Sequence, residues 1–238
     1  MRAIHTTALV DPLLLLALAG AGEAQVHRVD EPNPDQMNRE CTGGNARSCT
    51  ILGVLYYNGT GVPADEVQAQ MLLRRACDAG DAAGCKFLGT IFAIGHGEEH
   101  DYKHAAELFG RACEGGYPEG CTALGELMSR GLGVYHNPVR EAELFEKACK
   151  GDDARACTAL GEYFASGPPA ARDVLWALTL YRKGCEKGDP SGCHAAAGLF
   201  DRGIGVARNP DSAAMLYDRA CKAGLQISCQ LLRRVRPQ

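Results

Sequence analysis

Six copies of one phrase, Cys-x7-Cys, set the plan of this chain. The pairs are Cys41/Cys49, Cys77/Cys85, Cys113/Cys121, Cys149/Cys157, Cys185/Cys193 and Cys221/Cys229. First members fall 36 residues apart, second members do the same, and none of the 12 cysteines lies outside the series. A constant period of this length means one supersecondary unit repeated and stacked, each copy burying its apolar face on its neighbours. The 238 residues are therefore expected to share one continuous core rather than to divide into ordinary domains.

The residues between the cysteines describe the unit. Ala46–Asn58 places Cys49, Leu52, Gly53 and Tyr56 on one helical face. It stops at Asn58-Gly59-Thr60-Gly61, where glycine can take the left-handed conformation that ends a helix. A second helix is expected over Asp65–Ala79, with Ala69, Leu72, Leu73 and Ala76 inward. The position of Asp65 is next held by Asp101, Asn137, Asp173 and Asn209, all with a side-chain oxygen able to cap a helix start. Leu72 is echoed by Leu108, Leu144, Leu180 and Leu216. The turn glycines recur as Gly95/Gly97, Gly131/Gly133 and Gly203/Gly205. In the fourth unit they become Gly167/Pro169, and that turn is expected to change shape. In the fifth, Ala196-Ala197 replaces Leu-Gly, a looser fit. Pro34–Cys41 reads as a lone second helix capped by Asn33, and Leu225–Arg236 as a lone first helix. The expected fold is all-α: an α/α solenoid, a right-handed superhelix of helix–turn–helix repeats, with about five full repeats between terminal half-repeats.

The amino-terminal residues are of another kind. Arg2 lies in a short polar start, Leu13–Ala19 is an apolar run, and small residues follow. Residues 1–24 are expected to be a secretory signal, cleaved after Ala21 or Ala24. Residues 25–33 read as a disordered lead-in and 34–238 as the solenoid. The apolar run is too short to span a bilayer, and no other stretch qualifies. A net charge of -4 gives no electrostatic case for nucleic acid. So many cysteines are easiest to keep in an oxidising compartment, so a secreted or periplasmic location is expected.

The units carry Leu-Gly in the first helix, Gly-x-Gly-Val in the turn and Ala-x-x-Leu/Tyr-x-x-Ala in the second helix. In this they resemble Sel-one-like repeats, α/α relatives of the tetratricopeptide repeat. Gly59-Thr60-Gly61-Val62, Gly131-Leu132-Gly133-Val134 and Gly203-Ile204-Gly205-Val206 match the turn directly. With Ala-Cys before each short turn and Gly-Cys or its like after it, residues 34–238 resemble the Helicobacter cysteine-rich proteins. The resemblance implies secreted, disulfide-bridged solenoids. Some members of that group are described as penicillin-binding proteins or β-lactamases, others as partners of host or bacterial proteins. Related repeat proteins of the mitochondrial intermembrane space also carry paired cysteines, which makes that compartment the alternative for a eukaryotic chain.

Each Cys-x7-Cys runs from the end of a second helix, through a short turn, to the start of the next first helix. Such helix ends can bring Cα atoms within the roughly 4.4–6.8 Å that a disulfide needs. Identical local spacing favours six local bridges, each stabilising its joint by about 2–3 kcal/mol. Free thiols packed in a cytosolic core remain the alternative. Zinc thiolates use shorter cysteine spacings, and the redox motif Cys-x-x-Cys does not occur.

No catalytic residue is assigned. Ser-x-x-Lys, Lys-Thr-Gly and Gly-x-Ser-x-Gly do not occur in the chain. His96-x-x-Glu99-His100, with His104 beyond it, matches an inverted zinc-protease signature, but that signature needs a helix and the register puts it in a glycine turn. No metal and no cofactor are assigned. First helices usually line the concave side of stacked α/α units. On them Thr50, Val54 and Tyr57 share the face opposite the core stripe, and down the stack come Lys86 and Thr90, Thr122 and Glu126, Thr158 and Glu162, then His194. These form an expected mixed-charge groove, acidic at Glu126 and Glu162, for a protein or peptide partner. The chain is expected to act as a monomer. The alternative, taken from the resemblance, is a β-lactam-binding protein or β-lactamase.

Overall fold

Local capping chemistry lays out the helices. The computed structural model describes residues 33–95 and 100–236. The expected signal and nearly all of the lead-in, together with His96 and Glu99, lie outside the described residues. Twelve helices follow one another and no strand occurs among the described residues. First helices are α2 (Ala46–Asn58), α4 (Ala82–Ile94), α6 (Pro118–Ser129), α8 (Ala154–Ser166), α10 (Pro190–Arg202) and α12 (Gln226–Val235). Second helices are α1 (Pro34–Thr42), α3 (Glu66–Asp78), α5 (Tyr102–Glu114), α7 (Pro138–Lys150), α9 (Val174–Glu186) and α11 (Pro210–Lys222).

The five capping positions inferred from the sequence all act as caps. Asp65, Asp101, Asn137, Asp173 and Asn209 accept from the backbone N–H groups of Gln68, His104, Arg140, Trp176 and Ser212. Asn33 caps α1 through the N–H groups of Asp35 and Gln36. Each such cap stabilises its helix by about 1 kcal/mol. In the fourth repeat Gly167 is not left-handed (φ -68), and the chain passes through Pro168 into a 3₁₀ turn, Pro169–Ala171. The short turn from second to first helix needs one left-handed residue. Glycine supplies it everywhere except at Asp152, whose φ is 70.

Helix pairs close on glycine. Gly53, Gly89, Gly125 and Gly161 face Leu73, Phe109, Phe145 and Tyr181, and a Cβ on any of the four would lie 2.7–2.9 Å from the opposing side chain. The fifth repeat has Ala197 there, fully buried against Tyr217.

The cysteines lie within this packing. Six bridges form, Cys41–Cys49, Cys77–Cys85, Cys113–Cys121, Cys149–Cys157, Cys185–Cys193 and Cys221–Cys229, with Cα atoms 4.5–4.8 Å apart. No cysteine is left free, so the alternative of reduced core thiols does not describe this structure. Cys113, Cys121, Cys149 and Cys157 share one core cluster with Leu144, Phe145 and Leu160. Cys77 and Cys85 pack with Ala69, Leu73 and Leu88, and Cys185 and Cys193 with Ala220. The first five bridges therefore add their sulfur atoms to the apolar interior of a joint as well as closing the turn.

A second series of inter-repeat ties comes from cations on the second helices. The Arg111 guanidinium donates to the Cys77 carbonyl at 2.9 Å, and the ammonium groups of Lys147 and Lys183 donate to the carbonyls of Cys113 and Cys149 at 2.8 and 2.9 Å. Arg75 and Arg219 reach Thr42 and Glu186 in the same way. Each satisfies a carbonyl at the end of the preceding second helix, where a positive charge is also favoured by the helix dipole. First helices touch their successors directly, α2 on α4 and so on to α8 on α10. Second helices make no comparable series, so the stack is tighter along its first helices, which form the inner side. No helix among the described residues is long and apolar enough to cross a membrane.

Candidate binding groove

The inner side is broken into separate depressions. A central one, of 670 Å³, is lined from α6, α7, α8 and the start of α10. Glu126, Thr158 and Glu162, singled out from the sequence, all line it, beside Arg155, Phe145 and Tyr163. Val54, Tyr57, Lys86 and Thr90 line a small cavity of 150 Å³ between α2, α3 and α4. Thr50 borders a third, of 350 Å³, with Arg47, Asp81 and Tyr117.

The bridged cysteines contribute to none of these three walls. Cys85 and Cys193 stand at the starts of the first helices α4 and α10, yet they are only 3% and 2% exposed. Their sulfurs turn back toward the preceding second helix, to Cys77 and Cys185, and away from the inner face. They are buried, bridged residues of the joint. Cys41, Cys49, Cys77, Cys113, Cys121, Cys149, Cys157 and Cys185 are buried in the same way.

Two expected groove residues require correction. Thr50 is 5% exposed and Thr122 is wholly buried. Each lies beneath the start of the next first helix, where its hydroxyl donates to the capping carboxylate, Thr50 to Asp81 at 2.6 Å and Thr122 to Asp153 at 2.7 Å. They fasten the joint between repeats and present little to a partner. Asp81 and Asp153 use their other oxygen to cap α4 and α8.

The charges of the central cavity are partly paired. Arg155 lies 3.7 Å from Glu126. Glu162 accepts from the Tyr181 hydroxyl at 3.4 Å and from Ser166 at 3.4 Å. Burial, reinforced by the Glu162 charge, holds the Tyr181 phenol protonated far above its ordinary range. At the other edge burial raises the Glu141 carboxyl above its usual value, against the lowering effects of Ser129 and of His136, which is 3.8 Å away. Asp189 is 8% exposed and caps α10 by accepting from the Ser191 N–H at 3.0 Å. Near α4, the Lys86 ammonium lies 4.2 Å from the Phe87 ring centroid, and burial lowers its pKa.

His194 does not face an open groove in the way its position suggested. Its Nδ1 and the Ser228 hydroxyl are 2.8 Å apart, and its ring packs beside Tyr217. Ser228 has no exposed surface, so this Ser–His contact offers no nucleophile to a substrate. Burial first, then the Arg202 charge, lowers the His194 pKa below 6.5. A further polar centre was not anticipated: Asp201, 8% exposed, receives the guanidinium groups of Arg234 and, at 4.0 Å, Arg208. Its partners lie 33 and 7 residues away, with no motif to announce them. His100 turns to the Ala93 carbonyl at 3.1 Å, while His104 stacks on Phe92. Among the described residues no group of three or more His, Cys, Asp or Glu is placed to hold a metal ion.

Comparison with known proteins accords with this architecture. The Sel1 repeat model matches residues 46–81, 82–117, 118–153, 154–189 and 190–225, each match running from the start of a first helix to the capping position of the next. No curated protein matches the chain. Among solved structures it is similar to a protective antigen present in uropathogenic Escherichia coli strains, with TM-score 0.78 and 25% identity over 86% of this chain. The chain spans only 44% of that protein. It is similar in fold to a Sel1 repeat protein from Oxalobacter formigenes, with TM-score 0.74 and 24% identity over 84% of this chain and 77% of that one. Helicobacter pylori cysteine rich protein B also aligns, with 27% identity over 58% of this chain and 99% of its own length, at TM-score 0.46. Five consecutive repeat matches account for most of the sequence, and the chain belongs to the Sel1 repeat family.

Proposed function

We propose that the protein is an extracytoplasmic scaffold that binds a protein or peptide partner on the inner face of its first helices. The observation that carries this is the 670 Å³ cavity between α6, α8 and α10. It joins aromatic surface, Phe145 and Tyr163, to charged groups of both signs, Glu126, Arg155 and Glu162. A concave surface of that kind suits an extended segment that offers alternate apolar and polar side chains. The six disulfides support the location, since such bridges persist in secreted and periplasmic proteins and are rare in a reducing cytosol.

The test is site-directed photocrosslinking in the native envelope or culture medium. A photoreactive benzoylphenylalanine at Tyr163 should give discrete adducts. The same group at Val67, which is 70% exposed on the outer helix α3, should give none. Equal adduct patterns from both positions would remove the inner face from the argument.

A further inference from the structure

The carboxylate that caps a first helix has two oxygens to satisfy. In two joints the second oxygen goes to a threonine of the preceding first helix, Thr50 on Asp81 at 2.6 Å and Thr122 on Asp153 at 2.7 Å. Asp189 and Thr158 occupy the same two places in the joint between α8 and α10. There the pairing is not made. The Thr158 hydroxyl donates instead to the Ala154 carbonyl of its own helix, 3.3 Å away. One Asp189 oxygen holds the Ser191 N–H, and the other has no hydrogen-bond partner among the described residues. Yet the side chain is only 8% exposed, and it lines the 670 Å³ cavity. Among the described residues no side-chain oxygen cut off from solvent lacks a partner, so this one keeps a solvent-facing edge, where a donor lying in the cavity can reach it.

We propose that Asp189 anchors a basic side chain, Lys or Arg, of a peptide partner lying in this cavity. The proposal rests on the inner-face reading and gives it a chemistry. Glu126, Glu141 and Glu162 add further carboxylates to the same cavity, Glu126 facing Arg155 at 3.7 Å, while Phe145, Ala159 and Tyr163 line it with apolar surface for the alkyl stem. A charge-assisted hydrogen bond to a partly desolvated carboxylate is roughly twice as strong as a neutral one. Arg130 and Arg155 line the same cavity and oppose a second cation nearby. The expected ligand therefore carries one basic residue in an otherwise neutral or apolar stretch, not a polybasic run. A bound metal is the poorer occupant, because no group of three or more ligating side chains is assembled among the described residues.

The experiment is selection from a phage-displayed library of random dodecapeptides, on the oxidised full-length protein and on the Asp189→Asn variant. Asparagine keeps an oxygen for the Ser191 N–H, so the cap of α10 is retained. Peptides selected on the unmodified protein should share a Lys or Arg at one position. Replacing that residue in the peptide by norleucine should weaken binding about tenfold or more, and Asp189→Asn should do the same with an unchanged melting midpoint. The peptide replacement is read on the unmodified protein, so it decides the matter even if the variant folds poorly. Selected peptides that bind without a basic position, or that lose nothing on norleucine replacement, would overturn the Asp189 anchor and leave inner-face binding standing. A library that yields no peptide above background would overturn both.

Discussion

His194 shows how one side chain can make a repeat joint sensitive to pH. The equivalent position is threonine in three repeats and lysine in one, and here an imidazole takes it, in contact with the buried Ser228 hydroxyl. Its folded-state pKa is below the unfolded value of 6.5, through burial and then Arg202. The unfolded chain therefore binds more protons near that pH, and stability rises with pH there. The stabilisation is complete above 6.5 and is lost as pH falls through the folded value. Urea midpoints should drop as pH falls below about 6.5. His194→Gln should flatten that part of the profile; an unchanged slope in the variant would assign it to other groups. A comparable economy appears at Thr50 and Thr122, where one hydroxyl joins two repeats without any long side chain being ordered.

At the scale of the helix pair, the six joints differ most at the carboxyl-terminal end. Ten of the bridged cysteines, from Cys41 to Cys193, are 4% exposed or less. Cys221 and Cys229 are only half-buried and line a broad depression between α11 and α12. Arg233 stands at the position of Gly53, Gly89, Gly125, Gly161 and Ala197, where each of the earlier repeats packs its second helix closely. Under graded reductant Cys221–Cys229 should open first, well before the enclosed Cys77–Cys85 and Cys185–Cys193, as read by alkylation and peptide mass mapping. Simultaneous loss of all six would contradict the exposure argument. The helix pairs themselves were legible from sequence because caps, turn glycines and the cysteine spacing act within a few residues. The inner face was legible only in part. Thr50 and Thr122 do point away from the core stripe of their own helix, but the start of the next first helix covers them. The cations Arg111, Lys147 and Lys183 were not identified as ties because their acceptors lie 34 residues back. Asp189 stands out only once two other joints show what its second oxygen lacks.

Over the whole molecule, the stack has few ties between distant parts: apart from contacts between neighbouring pairs, first helices touch the next first helix and little beyond. Stability in such an array is close to a sum of repeat and nearest-neighbour contributions. Six local bridges at about 2–3 kcal/mol each total about 12–18 kcal/mol, as large as the entire net stability of an ordinary domain. The fully reduced and alkylated protein should accordingly lose most of its helical circular dichroism at physiological temperature. Retention of the oxidised spectrum would show that packing alone suffices. The cation ties add an asymmetry to this arrangement. Arg75, Arg111, Lys147, Lys183 and Arg219 all reach toward the amino terminus, each completing the helix end of the repeat made before it. Synthesis runs in the same sense. A chain lengthening from its amino terminus supplies each new cation 33 or 34 residues after the carbonyl it must meet, and each cysteine partner only eight positions behind the first. Assembly can then advance like a ratchet, one tooth per repeat, with no finished part waiting on a distant one.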